Sequence, residues 1–399
     1  MNERMWQEKN TIVITCPKGM PPYLAAELTD QGYPVLWELD AAVETKGSLR
    51  DTMDMNLCLR TGHRVLFQIK EFRAETPGDL YKNIVSLPWE EWVARSGYLC
   101  VTSTVDTPVI KDARFVNVKA KDAIVDRIRE KTSLRPDSGP ERTGTVVHVY
   151  WKEDRVRIFF DTSGEPLSRR GYRKISLLAP MQETLAAGVI LATGWKGEGP
   201  FVNPMCGSGT LAIEAVLIAL NRAPGILRAN FGFMHLQGYD PAEYRERRMR
   251  VRDREKKEMA FPVIASDISD DAIRASRQNA QTAGVDHCIS FQRCSFEKTP
   301  VPEGKGIVIL NPGYGERMGK EHELAAVYHG IGDFFKNQCQ GYQGYIFTGN
   351  FNLAKKVGLR TSRRIPFYNS ELECRLLAYE MYAGSRKTTT RNEGEDHDA

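Results

Sequence analysis

The sequence predicts an α/β protein: a mostly parallel sheet covered by helices in the C-terminal half, preceded by a smaller α+β unit. Beyond residue 180, short strands alternate with helices of roughly ten to fifteen residues, which is the signature of crossover units in a parallel sheet. Several of those strands are unbroken apolar runs, as expected when both faces are covered. Before residue 165 the strand-like runs instead alternate apolar and polar residues, the period of a half-exposed sheet.

The elements follow in order. TIVITCP (11–17) alternates as a strand, and PPYLAAELTDQGY reads as a short helix with Pro at its start and Gly after it. Strand-like pieces come near 35–38, 42–45 and 65–73, then a helix-leaning stretch, ETPGDLYKNIVSLPWEEWV. YLCVTSTVDT (98–107) is a strand. FVNVKAKDAIVDRIREKTSL (115–134) is an amphipathic helix whose expected apolar face holds Val118, Ile124, Val125 and Ile128. TVVHVYWKEDRVRIFFDTSG (145–164) is a hairpin turning at Lys152-Glu153-Asp154. The texture then changes. Helix MQETLAAGVILATG leads to strand FVNP and helix TLAIEAVLIAL. Strand PVIASD, helix DDAIRASRQNAQTAG and strands CISFQRC and GIVILNP come next. Helix ELAAVYHGIGDFFKNQC, strand GYIFTG and the hairpin RRIPFYN/CRLLAYEMY complete the sheet. The tail over 385–399 is almost devoid of apolar residues and is expected to be disordered.

Composition narrows the classes. The chain has 399 residues, 41% hydrophobic and 27% charged, the profile of an ordinary soluble protein with two to three domains. No run approaches the ~18 apolar residues of a membrane span. The N-terminal stretch MNERMWQEKNTIVITC lacks a signal peptide's apolar middle, so a cytoplasmic protein is expected. None of the eight cysteines forms a C-x-x-C pair, which argues against a zinc ribbon or disulfide framework. HELAAVYH (322–329) spaces its histidines seven apart, too far for a zinc-protease helix, so no metal is expected. Net charge is only +4, so the distribution matters more. YRERRMRVRDREKK (244–257) mixes both signs and reads as a solvated helix with internal ion pairs. SRRGYRK (168–174) and KKVGLRTSRR (355–364) have few acids to pair with. Arg169, Arg170, Arg173, Lys174, Arg363 and Arg364 are therefore candidates to face RNA phosphates.

Two phrases carry the chemistry. NPMCGSGT ends the first strand of the α/β part and opens a helix, the place where open α/β sheets bind ligands. Gly207 and Gly209 leave the backbone bare, and the helix start presents free N–H groups to an anion. The spacing is neither G-x-G-x-x-G nor a P-loop. About 60 residues later, strand PVIASD ends in Asp267, suited to accept hydrogen bonds from both ribose hydroxyls of an adenosine. Loop and acid together ask for a ligand with an adenosine and a carboxylate-bearing end, and S-adenosylmethionine fits. VILNPGYGER then puts Asn311, Pro312, Gly313 and Tyr314 at another strand end. The Asn311 amide oxygen and the Pro312 carbonyl can each accept one N–H of an exocyclic base amine, orienting it for in-line attack on a methyl. Tyr314 can stack on the extruded base.

RGYRKISLLAPMQETLAA, NPMCGSGTLAIEA, the strand ending in Asp267, NPGYGER and TGNFNLAKKVGLRTSRRIPFYNSELECRLLAYEMY resemble the bacterial THUMP-domain class I RNA methyltransferases. The likeness runs from about residue 10 to 384 and is nearest to the guanine-N2 methyltransferases of 23S rRNA. It implies a ferredoxin-like part over 1–50 and a THUMP RNA-binding domain over 51–165. A Rossmann-like, S-adenosylmethionine-dependent methyltransferase domain with a seven-stranded sheet would follow over 166–384. It further implies that Asn203, Pro204, Cys206, Gly207, Gly209, Thr210, Asp267, Ile268 and Ser295 line the cofactor. Three positions depart from the family pattern: Asn203 and Ser295 stand where Asp is usual, and Gly313 where a second Pro is usual. Since one phrase serves every exocyclic amine, tRNA guanine N2 and adenine N6 stay open, as does a weakly active or inactive RNA-binding assembly factor. Rossmann-like architecture, S-adenosylmethionine and an RNA partner are the expectations carried forward.

Overall fold

The computed structural model describes residues 3–94, 96–110, 112–177, 180–313 and 321–381. The expected tail over 385–399 and Tyr314 lie outside the described residues.

The first sheet is built from β1 (Asn10–Thr15), β2 (Val35–Leu39), β3 (Ala42–Gly47), β4 (Arg64–Arg73), β5 (Tyr98–Asp106), β6 (Asp137–Ser138), β7 (Thr145–Lys152) and β8 (Arg155–Asp161). Their order is β2-β3-β1-β4-β8-β7-β5-β6. β4 pairs with β1 on one side and with β8 on the other, so one sheet runs unbroken across both N-terminal regions. Helices α1 (Glu3–Gln7), α2 (Pro21–Asp30), α3 (Asp51–Cys58), α4 (Pro77–Val85), α5 (Trp89–Trp92) and α6 (Ala113–Thr132) accompany it. Thr76 and Asp79 close a reciprocal capping box at the start of α4, which fixes where that helix begins. The buried face of α6 is not wholly the expected one. Val116, Ala120, Ala123, Ile124 and Ile128 are buried, whereas Val118 is exposed. The backbone period places 116, 120, 124 and 128 in one row, and 118 falls on the opposite side.

The second sheet holds β9 (Phe201–Pro204), β10 (Val263–Asp267), β11 (Ile289–Arg293), β12 (Ile307–Leu310), β13 (Gln343–Thr348), β14 (Arg363–Asn369) and β15 (Leu372–Glu380). Their order is β11-β10-β9-β12-β13-β15-β14; β9 to β13 pair in parallel, while β15 runs antiparallel to both β13 and β14. This is the seven-stranded, mostly parallel sheet the sequence predicts. Helices α7 (Glu183–Thr193), α8 (Thr210–Ala219), α9 (Pro241–Asp253), α10 (Asp270–Ala283), α11 (Glu321–Gln338) and α12 (Phe351–Lys355) complete it. α7 and α8 are apolar almost all round because both lie buried beneath other elements.

The two sheets share a core. Met20, beside α2, packs so closely on α7 that a Cβ at Gly188 would meet its Sδ and Cε atoms, and Tyr23 stacks on Phe367 of β14 at 5.8 Å. The charged run 244–257 does form α9, but it is not simply solvated. Arg247 pairs with Glu243 one turn earlier and also with Asp54 of α3, while Arg50 pairs with Glu243 at 3.3 Å. Among the described residues, no helix is long and apolar enough to cross a membrane. No cluster of three or more metal-ligating side chains occurs among them either.

Candidate functional site

The sheet order reverses beside β9, with β10 on one side and β12 on the other. Ligands of open α/β sheets sit at such a switch point, outside the carboxyl ends of the strands. β9 delivers Asn203 and Pro204 there, β10 delivers Asp267, and β12 delivers Asn311 and Pro312.

The loop leaving β9 is set by its backbone. Gly207 has φ +55° and Gly209 φ +84°, and Gly209 serves as N-cap of α8. The two glycines answer to different needs. A Cβ on Gly209 would sit 2.2 Å from Ser276 Oγ, so α10 presses directly on the loop. A Cβ on Gly207 would meet no protein atom within 4 Å. That side of the loop faces open space, the cradle a ligand needs. Cys206 is buried, and burial pushes its thiol up to about 12, so it is a packing group and not a nucleophile.

Asp267 ties loop to strand. Its Oδ2 accepts the Gly207 N–H at 3.0 Å and its Oδ1 accepts the Ser269 N–H at 2.9 Å. Capping of α10 falls to Ser269, whose hydroxyl accepts from Ala272 N–H. A carboxylate offers about four acceptor positions, so these two contacts leave about two unfilled. Ile268, next along, is 71% exposed, an apolar side chain at the surface beside the strand tip. Ser295 is half-buried just past β11 and precedes a short 3₁₀ turn. Asn203 is fully buried. Its Nδ2 donates to Ile309 O at 2.9 Å, and its Oδ1 has no partner among the described residues. Thr210 is buried and accepts from Arg173 Nη2 at 3.1 Å. Asn311 is half-buried, Pro312 buried and Gly313 exposed.

The cationic segment 168–174 needs correction. Arg170 does not face RNA: it is 1% exposed, and its Nε lies 3.5 Å from Glu214 Oε1. It donates to the carbonyls of Leu167 and Arg60, while Tyr172 donates to the same Glu214 oxygen at 3.1 Å. Arg173 is engaged as well, donating to Met181 O and Thr210 and pairing with Glu183 at 3.2 Å. The segment is a locked linker between the sheets, because burying a guanidinium requires filling its donors internally. Arg169 stays exposed, pairing with Glu165, and Lys174 is exposed as well. Arg363 and Arg364 are both exposed on β14.

Asn279 escaped the sequence reading. From α10 its Oδ1 accepts the N–H groups of Lys174 and Ile175, and its Nδ2 donates to Ser208 O and Ile175 O. One amide thus fastens the linker to the glycine loop. The available signal was a polar residue in the buried row of α10, among Ala272, Ser276, Ala280 and Ala283.

The comparisons with known proteins agree with this geometry. The RMKL-like methyltransferase domain matches residues 170–378, more than half of the chain. The chain belongs to that methyltransferase family. Residues 11–66 match the RlmL ferredoxin-like domain and 74–161 the THUMP domain. A Syntrophotalea carbinolica protein named ribosomal RNA large subunit methyltransferase K/L is 38% identical over 92% of this chain, which spans 53% of that relative. The chain thus covers about half the length of the curated K/L relatives it matches. The Synechocystis protein slr0064, provisionally named an RNA methyltransferase, is 33% identical over 92% of this chain and 96% of its own length. Among solved structures, SMU.472, provisionally named a methyltransferase and complexed with SAH, aligns with TM-score 0.85 and 25% identity. The alignment covers 95% of this chain and all of that one. A Clostridium difficile protein titled a possible methylase aligns equally well at 28% identity. The enzyme class expected from the residues is therefore met, on the Rossmann-like fold that was expected.

Proposed function

We propose that this chain transfers the methyl group of S-adenosylmethionine to the exocyclic N2 of a guanine in large-subunit rRNA. The observation that carries the reading is the convergence at one switch point of a bare cradle at Gly207, a loop-anchoring carboxylate at Asp267 and the Asn311-Pro312 pair.

The residues fit the cofactor. Asp267 has acceptor capacity for the ribose, and the unpartnered Asn203 Oδ1 would be satisfied by the donor's ammonium group. Gly207 leaves room where a side chain would intrude. When bound, the sulfonium supplies an electrophilic methyl. The protein's own task is to orient the amine. Its lone pair is delocalised into the base, so holding both N–H groups on the Asn311 amide oxygen and the Pro312 carbonyl eases rehybridisation. Tyr314 would stack on the base. No general base need act before attack, because the amine loses its extra proton only once the methyl is attached. The N-terminal sheet would dock structured RNA through shape and phosphate contacts. Such a substrate puts the reaction in the cytoplasm.

The test is methylation of large-subunit rRNA lacking its modifications, using labelled S-adenosylmethionine, followed by nucleoside analysis. N2-methylguanosine above an Asn311→Ala control is the expected result. Counts equal to that control would reject the reading, and N6-methyladenosine would reassign the acceptor.

A further inference from the structure

A second pocket opens between α12 and the β14–β15 hairpin, with a volume of about 750 Å³. We propose that it is an anion site for the phosphodiester backbone of the RNA that presents the target base, an inference resting on the RNA-methyltransferase reading above.

Its lining includes Lys355, Arg360, Arg364 and Arg375, with Phe351 and Tyr379. Only Arg375 has an acidic partner among the described residues, Glu373 at 2.9 Å. Arg364 spends its Nε on Thr361 Oγ1 at 3.0 Å, which leaves its terminal nitrogens to donate elsewhere. The Arg375 guanidinium lies 4.1 Å from the Phe351 ring centre, so its fork is held in place by the ring. Its Nε and Nη2 donate to Glu373 Oε1, so the Nη1 side of the fork is what it offers a phosphate oxygen, beside the terminal nitrogens of Arg364. The floor adds an independent sign. Tyr379 is 2% exposed and its hydroxyl has no partner among the described residues. Burial pushes that hydroxyl up to about 12, so it is a neutral donor at physiological pH. A buried donor beside several cations is the complement of an anion oxygen.

Position ties the pocket to the reaction. Arg375 of β15 faces Thr348 at the end of β13, and β13 pairs with β12 just before Asn311. Two strand spacings of about 4.8 Å put Arg375 roughly 10 Å from the amine-holding phrase. A backbone gripped there belongs to nucleotides flanking an extruded base. An acidic protein segment would share the charge, but the place of the cations, two strand spacings from the amine-holding phrase, suits the backbone of the nucleotides that flank the target base.

The experiment titrates the full chain with a fluorescent large-subunit rRNA fragment at several salt concentrations, alongside calorimetry with S-adenosylmethionine. The double variant Arg364→Ala/Arg375→Ala should lose about tenfold or more in RNA affinity, with its salt slope reduced by roughly 1–2. Cofactor affinity should hold, and KM for RNA should rise more than kcat falls. Tyr379→Phe, which deletes only the hydroxyl, should weaken RNA binding a few-fold with the slope retained. Unchanged affinity and slope in a folded double variant would overturn the assignment. So would displacement by polyglutamate but not by polyuridylate, which would point to an acidic protein. If the parent binds RNA but methylates none, the functional reading fails by itself. If the parent methylates RNA and the double variant binds it unchanged, only the pocket assignment fails.

Discussion

The two loop glycines give the sharpest test, because one chemical change should have two different outcomes. Gly207→Ala places a methyl at φ +55° with no protein atom within 4 Å. The left-handed strain costs about 1–2 kcal/mol, and the stiffer unfolded chain returns about 0.4–1 kcal/mol. The net loss of stability should stay near or below ~1 kcal/mol. The methyl does point into the cradle, so cofactor affinity should fall at least tenfold, about 1.4 kcal/mol. Gly209→Ala carries the same strain at φ +84° and drives a Cβ to 2.2 Å from Ser276 Oγ and 3.0 Å from its Cβ. Overpacking adds about 1–3 kcal/mol, for a total near ~2–5 kcal/mol. Urea denaturation reads the stabilities, and calorimetry with S-adenosylmethionine reads the affinity. Adding Ser276→Ala to Gly209→Ala removes the nearer clash and should recover about 1 kcal/mol, more than additivity allows for independent sites. Two results would refute the reasoning: a Gly207→Ala protein that binds cofactor like the parent, or a Gly209→Ala protein as stable as Gly207→Ala.

Other outcomes follow from the same contacts. Arg170→Ala strips the partner from fully buried Glu214 and should cost about 3–5 kcal/mol in denaturant melts, while the salt slope of RNA binding stays that of the parent. Asn279→Ala unfastens the linker from the glycine loop, with a loss of about 1–3 kcal/mol for the stranded backbone groups and weaker cofactor binding by calorimetry. His148 is held between Thr102 and Thr104, and burial pushes it down to about 4. The unfolded chain therefore binds the proton more readily, and stability should fall as pH drops from about 6.5 to about 4, by at most a few kcal/mol. Thermal melts across that window should show the slope, and His148→Gln should flatten it.

Much of this molecule is legible in its sequence. Strand tips, the glycine loop and the paired phrases are local in sequence, and each one's chemistry depends on residue type at a tip. What escaped was set by distant partners. Nothing in SRRGYRK says that Arg170 will meet Glu214, which lies 44 positions later on a helix apolar on almost every side. A cation is expected outside, and only a buried acid aimed at it reverses that. Asn279 was hidden by the opposite error: its helix is amphipathic, and a polar residue there looks like surface until the linker packs over it. Val118 was misplaced because a helix period read from few apolar residues does not fix the phase.

Asn203 joins β9 to β12 through its side-chain amide, a role that a carboxylate could not fill. The β9–β12 ladder ends at Val202–Val308, so the two strand tips diverge just short of the amine-holding phrase. The Asn203 amide bridges the gap with an N–H to Ile309 O, doing with a side chain what the backbone no longer does. A carboxylate in its place would put acceptor against acceptor, facing both Ile309 O and Pro204 O in a fully buried position. The amide therefore exchanges ligand charge for a fixed separation between cradle and amine slot. Its remaining oxygen meets no donor among the described residues, so under the proposed reading the ammonium of S-adenosylmethionine would complete a network that those residues leave one bond short.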